Sequence, residues 1–490
     1  MDSTTPVIVG AAQRVQRVDD LAEAREAAEL MTDAVRAAAV DSGADNIAER
    51  AGLVVTIKGA WSYRDPARIV ADAVGATNAR TALTADGGNT PQLIVDVLAE
   101  RISRGELDVA IIVGAETIWS RRRMRSSGVH RDVTAQADDV TPDEQLGRDL
   151  VLGDDFEHSR GLNLPVDIYP LFESAIRHRR GETLDVHRDR LAKMWADFNA
   201  VAVDNPYAWF RTPMSADDIR DASRSNRMVA FPYTKAMCSN WDVDQAAAII
   251  ICSADAASAA GVPRDRWVFP YGGAEADDTP LVSHRDELGR SPAIAAAWRA
   301  LSAQCGLGID DIAHLDVYSC FPSAVQASIE AVGIDESRRL TVTGGLTFAG
   351  GPLNNYVSHS IAAMVGVLRE DPAARGLVTA NGGFITKHAL GIYSATPPTV
   401  PFGRTSLGDA DVQHQPRAVA QDATGRLDIE AYTVMHDHDG PSRALVGFRT
   451  ADGRRTWGFS QDSDVMQSLL ANDHVGSPAT LDSDGHVHLG

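Results

Sequence analysis

The 490-residue sequence has only four lysines, Lys58, Lys193, Lys235 and Lys387, and only four cysteines. Nearly all positive charge is therefore arginine, and it is outweighed: 46 basic residues against 67 acidic ones leave a formal charge of −21. So negative a particle repels polyphosphate backbones and anionic membrane surfaces. Nucleic acid is not an expected partner, although a local basic patch for a small anionic ligand remains compatible with the composition. Cys238, Cys252, Cys305 and Cys320 form no CxxC or other metal-ligand spacing, so no metal is expected. The opening MDSTTPVIVGAAQ runs straight into a strand without a basic n-region, and no apolar run approaches the length of a membrane span. These absences lead to the expectation of a reduced, cytoplasmic chain.

What is present is enough apolar material for several cores, 44% of a chain too long for one. In the first third, short apolar runs alternate with helical periods: strand Val7 to Ala12, helix Leu21 to Val40, strand Leu53 to Ile57, helix Pro66 to Val74. A β-branched run then ends at Asp86-Gly87-Gly88 and an amphipathic helix begins at once, with Pro91 in its first turn. Such an elbow ordinarily presents a reactive side chain, yet this one offers only Gly87, Gly88, Asn89 and Thr90. The buried strand Asp108 to Glu116 follows. A similar order returns as strand His314 to Ser319, helix Ser323 to Val332, strand Leu340 to Val342, helix Pro352 to Leu368 and strand Leu377 to Ala380. Two such halves imply an internal duplication, each with a sheet covered on both faces.

Between the halves, residues 119–233 have the texture of an insertion, with arginines clustered in SRRRMRSSGVHR and two helical stretches. Sheet order resumes at Gln245 to Ser253. A Pro-rich linker, residues 396–410, follows the second half. Residues 411–490 read as a small β domain of about OB-barrel size, with one hairpin turning at Ala451-Asp452-Gly453.

Four segments in order, DVDQAAAIII (Asp242 to Ile251), YSCF (Tyr318 to Phe321), GGLTFAGGPLNNY (Gly344 to Tyr356) and ANGGFITKHALGIYS (Ala380 to Ser394), resemble the thiolases, closest to the sterol-carrier-protein type. The resemblance implies a layered α-β-α-β-α thiolase fold over 1–262 and 263–395, with the inserted helical loop domain and an OB-like domain that ordinary thiolases lack. It implies acyltransferase chemistry in lipid metabolism with coenzyme A or acyl-CoA as ligand. It also implies a dimer or tetramer, which the added domain is placed to alter.

At every catalytic position of that family the sequence departs. The nucleophilic cysteine falls on Gly88 or Asn89 and the second cysteine on Ala380 or Asn381. The histidine of Gly-His-Pro becomes glycine in Gly350-Gly351-Pro352, and an oxyanion-site Asn or His becomes Tyr318. Covalent thiolysis needs an activated thiolate, so standard thiolase activity is expected to be absent or very weak. The remaining catalytic candidates are Tyr318, His359, His388 and Cys320, the last also cysteine in the sterol-carrier branch. His359 is one helical step past Asn355, and His388 reads as part of a Gly-rich turn beside Lys387. Ser239 matches, with a shift of one residue, the position that contacts the pantetheine arm in thiolases, and Arg121, Arg122 and Arg123 are candidates for the phosphates of coenzyme A. The expected function is a CoA or acyl-CoA-binding thiolase-like protein, the alternatives being a retro-aldolase of β-hydroxyacyl-CoA and a non-catalytic carrier. HDHDGP reads as a hairpin turn rather than a metal site.

Overall fold

The computed structural model describes residues 2–489. The first half supplies β1 (Pro6–Val15), β2 (Leu53–Thr56), β3 (Arg80–Thr84), β4 (Val109–Thr117) and β5 (Glu144–Leu146). The insertion carries a short hairpin, β6 (Met228–Ala230) and β7 (Tyr233–Thr234), before β8 (Asp244–Ser253) returns to the first sheet. The second half supplies β9 (Phe269–Asp277), β10 (His314–Asp316), β11 (Arg375–Gly382), β12 (Lys387–Ser394) and β13 (Arg404–Ser406). The C-terminal region adds β14 (Gly425–His436), β15 (Pro441–Arg449), β16 (Arg455–Ser460), β17 (Pro478–Leu481) and β18 (Val487–His488).

The first sheet has the order β1-β8-β4-β2-β3-β5 and the second β10-β11-β12-β9-β13. Two helices, Thr90–Ser103 and Tyr356–Glu370, lie between the sheets and touch strands of both. Helices Ala27–Ser42 and Pro66–Ala73 cover the outside of the first sheet, and Pro292–Cys305 with Pro322–Val332 the outside of the second. This is the expected five-layer α-β-α-β-α arrangement. All nine residues of β4 and all ten of β8 are buried, which accounts for their unbroken apolar runs.

Several boundaries differ from the sequence reading. The first helix starts at Ala27, not Leu21. Asp20 caps a separate 3-10 turn, Leu21–Glu23, and Glu26 then opens a capping box with Glu29. Residues 340–342 form no strand, because the Asp316 carboxylate accepts from the Val342 and Thr343 amides and the Thr341 hydroxyl. Side-chain acceptors have replaced a sheet partner there. The strand from His314 stops at Asp316 instead of Ser319, and the Tyr318 amide donates to the Thr379 hydroxyl at 2.9 Å. The stretch 396–410 is not free linker either, since β13 pairs parallel to β9 at the sheet edge.

In the C-terminal region β14 pairs with both β15 and β17, and β17 with β18. β16 and the last strand approach through one bridge, Phe459↔His486, with the Phe459 amide on the Gly485 carbonyl at 2.9 Å. The ladder is thus not continuous around a barrel. Ile429, Val434, Phe448, Leu469 and Leu481 form a separate core that also takes in Phe231 of the insertion. The insertion joins the sheet as well, through β6 and Met435↔Ala230.

Arg455 seats this domain on the second half. Fully buried, it donates to the backbone carbonyls of Val282, Ser283, Arg285 and Asp286 and pairs with Glu430 at 2.6 Å. Trp457 Nε1 donates to Ser283 Oγ at 2.8 Å. Removing Arg455 leaves Glu430 with Arg449 as its remaining cation, 2.9 Å away, and strips four backbone carbonyls of a donor, a loss on the scale of a broken buried pair, about 3 kcal/mol. Arg455→Met is therefore expected to lower the unfolding free energy by about 3 kcal/mol in urea titration; a loss under about 1 kcal/mol would show that the clamp carries little stability.

Candidate functional site

The elbow ends β3 and starts helix Thr90–Ser103 inside the middle layer. Gly87 has φ +146, a value glycine alone adopts readily. Its amide donates to Asn354 Oδ1 at 3.0 Å, and Thr90 Oγ1 returns to the Gly87 carbonyl at 2.8 Å. Lys387, from β12, is buried and donates to the carbonyls of Asp86 and Arg148. Burial lowers its pKa, against the pull of Asp149, Asp277 and Asp86. The elbow is therefore tied from three sides.

Tyr318 and Asn381 occupy the space a nucleophile would need. A Cβ built on Gly88 would overlap the Tyr318 hydroxyl and lie 2.6 Å from the Asn381 carbonyl oxygen. The same holds at Gly351, where the resemblance implies a histidine: a Cβ there would lie 2.5 Å from Ser239 Oγ. Neighbouring Gly350, at φ +107, is pressed by the Gln245 carboxamide, which donates to the Tyr207 and Ala349 carbonyls. Polar side chains, Tyr318 and Ser239, thus fill the space a side chain would take at both glycines.

Around these contacts, the Ser239 amide donates to the Cys320 carbonyl at 3.0 Å. Asn381 Nδ2 donates to the Tyr169 hydroxyl at 3.0 Å and lies 4.0 Å from Cys320 Sγ. Tyr169 in turn donates to the Gly383 carbonyl at 3.0 Å. The buried oxygens Asn89 Oδ1 and Asn381 Oδ1 have no donor among the described residues, and Tyr318 Oη makes no hydrogen bond to them. Buried polar groups ordinarily find partners, so this cluster is equipped to bond a ligand.

Its titratable groups are neutral. Burial, with a smaller contribution from Cys320, holds the Tyr318 phenol well above its ordinary value. Burial pushes the Cys320 thiol up to about 12. A phenol with no cation beside it is a donor, not a base, and so high a thiol is no nucleophile at neutral pH.

Of the sequence candidates, Tyr318, Cys320 and Ser239 come together here. His359 does not: it is buried in helix Tyr356–Glu370 with Nδ1 on Gln13 Oε1 at 2.9 Å, packing that helix onto β1. His388 lies within β12, not in a Gly-rich turn, and points to the opposite side from Lys387, because side chains alternate along a strand. Its Nε2 meets Asp278 Oδ2 at 3.2 Å and Ser291 Oγ at 3.4 Å. Arg121, Arg122 and Arg123 sit on helix Ile118–Ser127 and all have protein partners: the Ala60 carbonyl, the Asp242 carboxylate and the Trp119 ring, 4.4 Å away. A phosphate there would have to displace those contacts. Sequence reasoning missed Tyr169 and Lys387. Tyr169 stood inside an ordinary apolar helix with no distinguishing spacing, whereas the scarcity of lysine was a usable signal for Lys387.

The solved structure of a monomeric SCP2-thiolase like protein type 1 from Mycobacterium smegmatis is similar along its whole length: 30% identity, 100% of both chains covered, TM-score 0.84. The family described as the thiolase-like protein type 1 additional C-terminal domain matches residues 409–486. Similarity in fold extends to a chain of the Ltp2-ChsH2(DUF35) aldolase, with 19% identity, 80% of this chain and 98% of that one covered, and TM-score 0.61. It extends also to an acetyl-CoA acetyltransferase from Syntrophomonas wolfei, with 16% identity, 81% and 100% covered, and TM-score 0.57. No curated protein matches.

Two measurements test this geometry. Gly88→Ala is expected to destabilise by about 1–3 kcal/mol through overpacking, and Tyr318→Phe in the same chain to recover part of that loss. Additive effects in the double-mutant cycle would mean that the two groups do not touch. His359 supplies a pH test, because burial lowers its pKa from 6.5 to about 3. The unfolded chain then binds a proton that the folded chain refuses. The stability this group contributes is fully present above the unfolded value of 6.5 and is lost as pH falls towards about 3, on the order of 5 kcal/mol. His359→Gln should flatten that part of the stability–pH curve; an unchanged slope would assign it elsewhere.

Proposed function

Because the chain belongs to the SCP2-thiolase-like proteins of type 1, we propose that it is a CoA or acyl-CoA-binding protein of lipid metabolism that forms no covalent acyl-enzyme. The observation that carries this reading is the filling of both catalytic positions, Gly88 by Tyr318 and Gly351 by Ser239. The thioester end is assigned to the cluster of Tyr318, Asn381 and Ser239. The phosphates are assigned to Arg121, Arg122 and Arg123, which are arranged on one partly exposed helix. We read the C-terminal domain as OB-like, since three meandering strands, a helix and two further strands end with the third and fifth side by side. Among the described residues no helix is long and apolar enough to cross a membrane, and a cytoplasmic location accords with that.

Retro-aldol cleavage of a β-hydroxyacyl-CoA is the second reading. It is favoured by the free Tyr318 hydroxyl and by the likeness in fold to the aldolase chain. Cleavage needs a base for the β-hydroxyl and donors for the thioester enolate. As a neutral phenol, Tyr318 fits the donor role alone. His359 and His388, bonded elsewhere, supply no base beside it.

One set of experiments separates the readings. Calorimetric titration with CoA should show binding that weakens with salt, and the weakening should flatten when Arg121, Arg122 and Arg123 are replaced by Ala. Intact mass after acetyl-CoA and acetoacetyl-CoA should show no adduct. A stoichiometric acyl group on residues 81–91 would overturn the main reading. Release of aldehyde or ketone from branched β-hydroxyacyl-CoA, reduced at least about tenfold in Tyr318→Phe, or about 1.4 kcal/mol, would establish the aldolase; tight binding without turnover would leave a carrier.

A further inference from the structure

Behind the second sheet, where the C-terminal region crosses the loop after β9, lies a cavity of about 240 Å³. Asp278, Arg285, Arg290 and Pro292 line one side, and His414 and Gln415 the other. His414 holds its strap in place with Nε2 on the Asp277 carbonyl at 2.9 Å. None of the residues of the Tyr318 cluster takes part.

The charges in this wall are compensated, with one exception. Arg290 pairs with Glu287 and Glu330. Asp286 pairs with Arg417. Asp278 accepts from Ser291 Oγ and the Ala293 amide and faces His388. Arg285 is 3% exposed, yet has no ion pair with any carboxylate among the described residues. Its Nε donates to the Thr279 carbonyl at 3.3 Å and its Nη2 to Thr386 Oγ1 at 3.0 Å, while Nη1 has no partner. Asp278 and Glu157 act on this guanidinium only at longer range, so its outer edge lacks a directly bonded acceptor among the described residues, and its planar fork matches carboxylate or phosphate oxygens.

We propose that this junction is a binding site for a compact oxyanion, a carboxylate or a phosphate, held by Arg285. The cavity is smaller than pockets that enclose drug-sized ligands, so a small anion fits it and an acyl-CoA does not. The site is independent of the function proposed above. It also has a route to the Tyr318 cluster, because Thr386 closes the β11–β12 turn whose Gly383 carbonyl accepts from Tyr169.

The full-length protein is melted in sodium phosphate, sodium acetate and sodium chloride at one ionic strength. A saturable rise in Tm of about 2 °C or more in phosphate or acetate, absent in chloride, is expected, and the effective salt names the anion class. Arg285→Met should abolish the rise. Wild-type crystals soaked in tungstate should show an anomalous peak within hydrogen-bonding reach of Arg285, which decides the matter if the variant does not fold. No rise in either anion, a rise retained by the variant, or soaked crystals without that peak would each overturn the proposal.

Discussion

The structure depends on one layer of helices shared by two sheets. Helix Thr90–Ser103 has a sheet on either side, and it fits only because the second sheet offers bare backbone to it. A Cβ on Gly391 would lie 2.6 Å from Gln92 Cδ, and one on Gly273 would enter the Asp96 carboxyl. Inside this layer Gln92 donates to Asp96 Oδ1 at 2.9 Å and accepts from the Tyr393 hydroxyl at 2.7 Å. Burial, reinforced by Glu275, holds Asp96 well above the usual carboxylate range. A helix fixed in this way fixes the elbow at its N-terminus. The elbow persists for architectural reasons, whatever its turn residues can do.

The same fixation explains how the lost side chains were replaced. Removing a cysteine and a histidine from a close-packed cleft would leave voids, and protein interiors tolerate few. Tyr318, two residues past the end of β10, and Ser239, in the loop before β8, fill those positions. The C-terminal domain supports the opposite wall. Arg455 gathers the carbonyls of Val282, Ser283, Arg285 and Asp286, and Arg285 within that turn reaches Thr386. The added domain thus reinforces the β11–β12 turn that carries Asn381 and Lys387 at its ends.

Most of the layer order was legible in the sequence, because fully buried strands and amphipathic helices leave distinct periods. The gathering of Tyr318, Cys320 and Ser239 was also legible, from the resemblance of the motifs that carry them. What escaped were features set by side-chain partners rather than by pattern. Asp316 turns the apolar stretch 340–342 into a loop, and three residues of the Pro-rich stretch find a sheet edge. The orientation of His388 was lost because Gly382 and Gly383 disguised the start of β12; once that strand is recognised, its period of two sends Lys387 to the elbow and His388 away. No pattern in the sequence indicates that His359 spends its one hydrogen bond on Gln13, 346 residues distant.

The protonation states limit what chemistry can remain. Around the elbow the phenols and the thiol are held above their ordinary values, Lys387 has its ammonium on two carbonyls, and Lys58 is paired with Asp86. Proton abstraction therefore has no ready base among these groups, and nucleophilic attack has no thiolate. A neutral phenol in a low-dielectric cleft nevertheless remains an effective donor, because a preorganised hydrogen bond there meets little competition from water. The loss of thiolase groups removes the covalent half of the chemistry and leaves the electrostatic half. A site of this kind can hold a thioester carbonyl or stabilise its enolate, but any proton it moves must go to the substrate itself, to water, or to a group that ligand binding brings in.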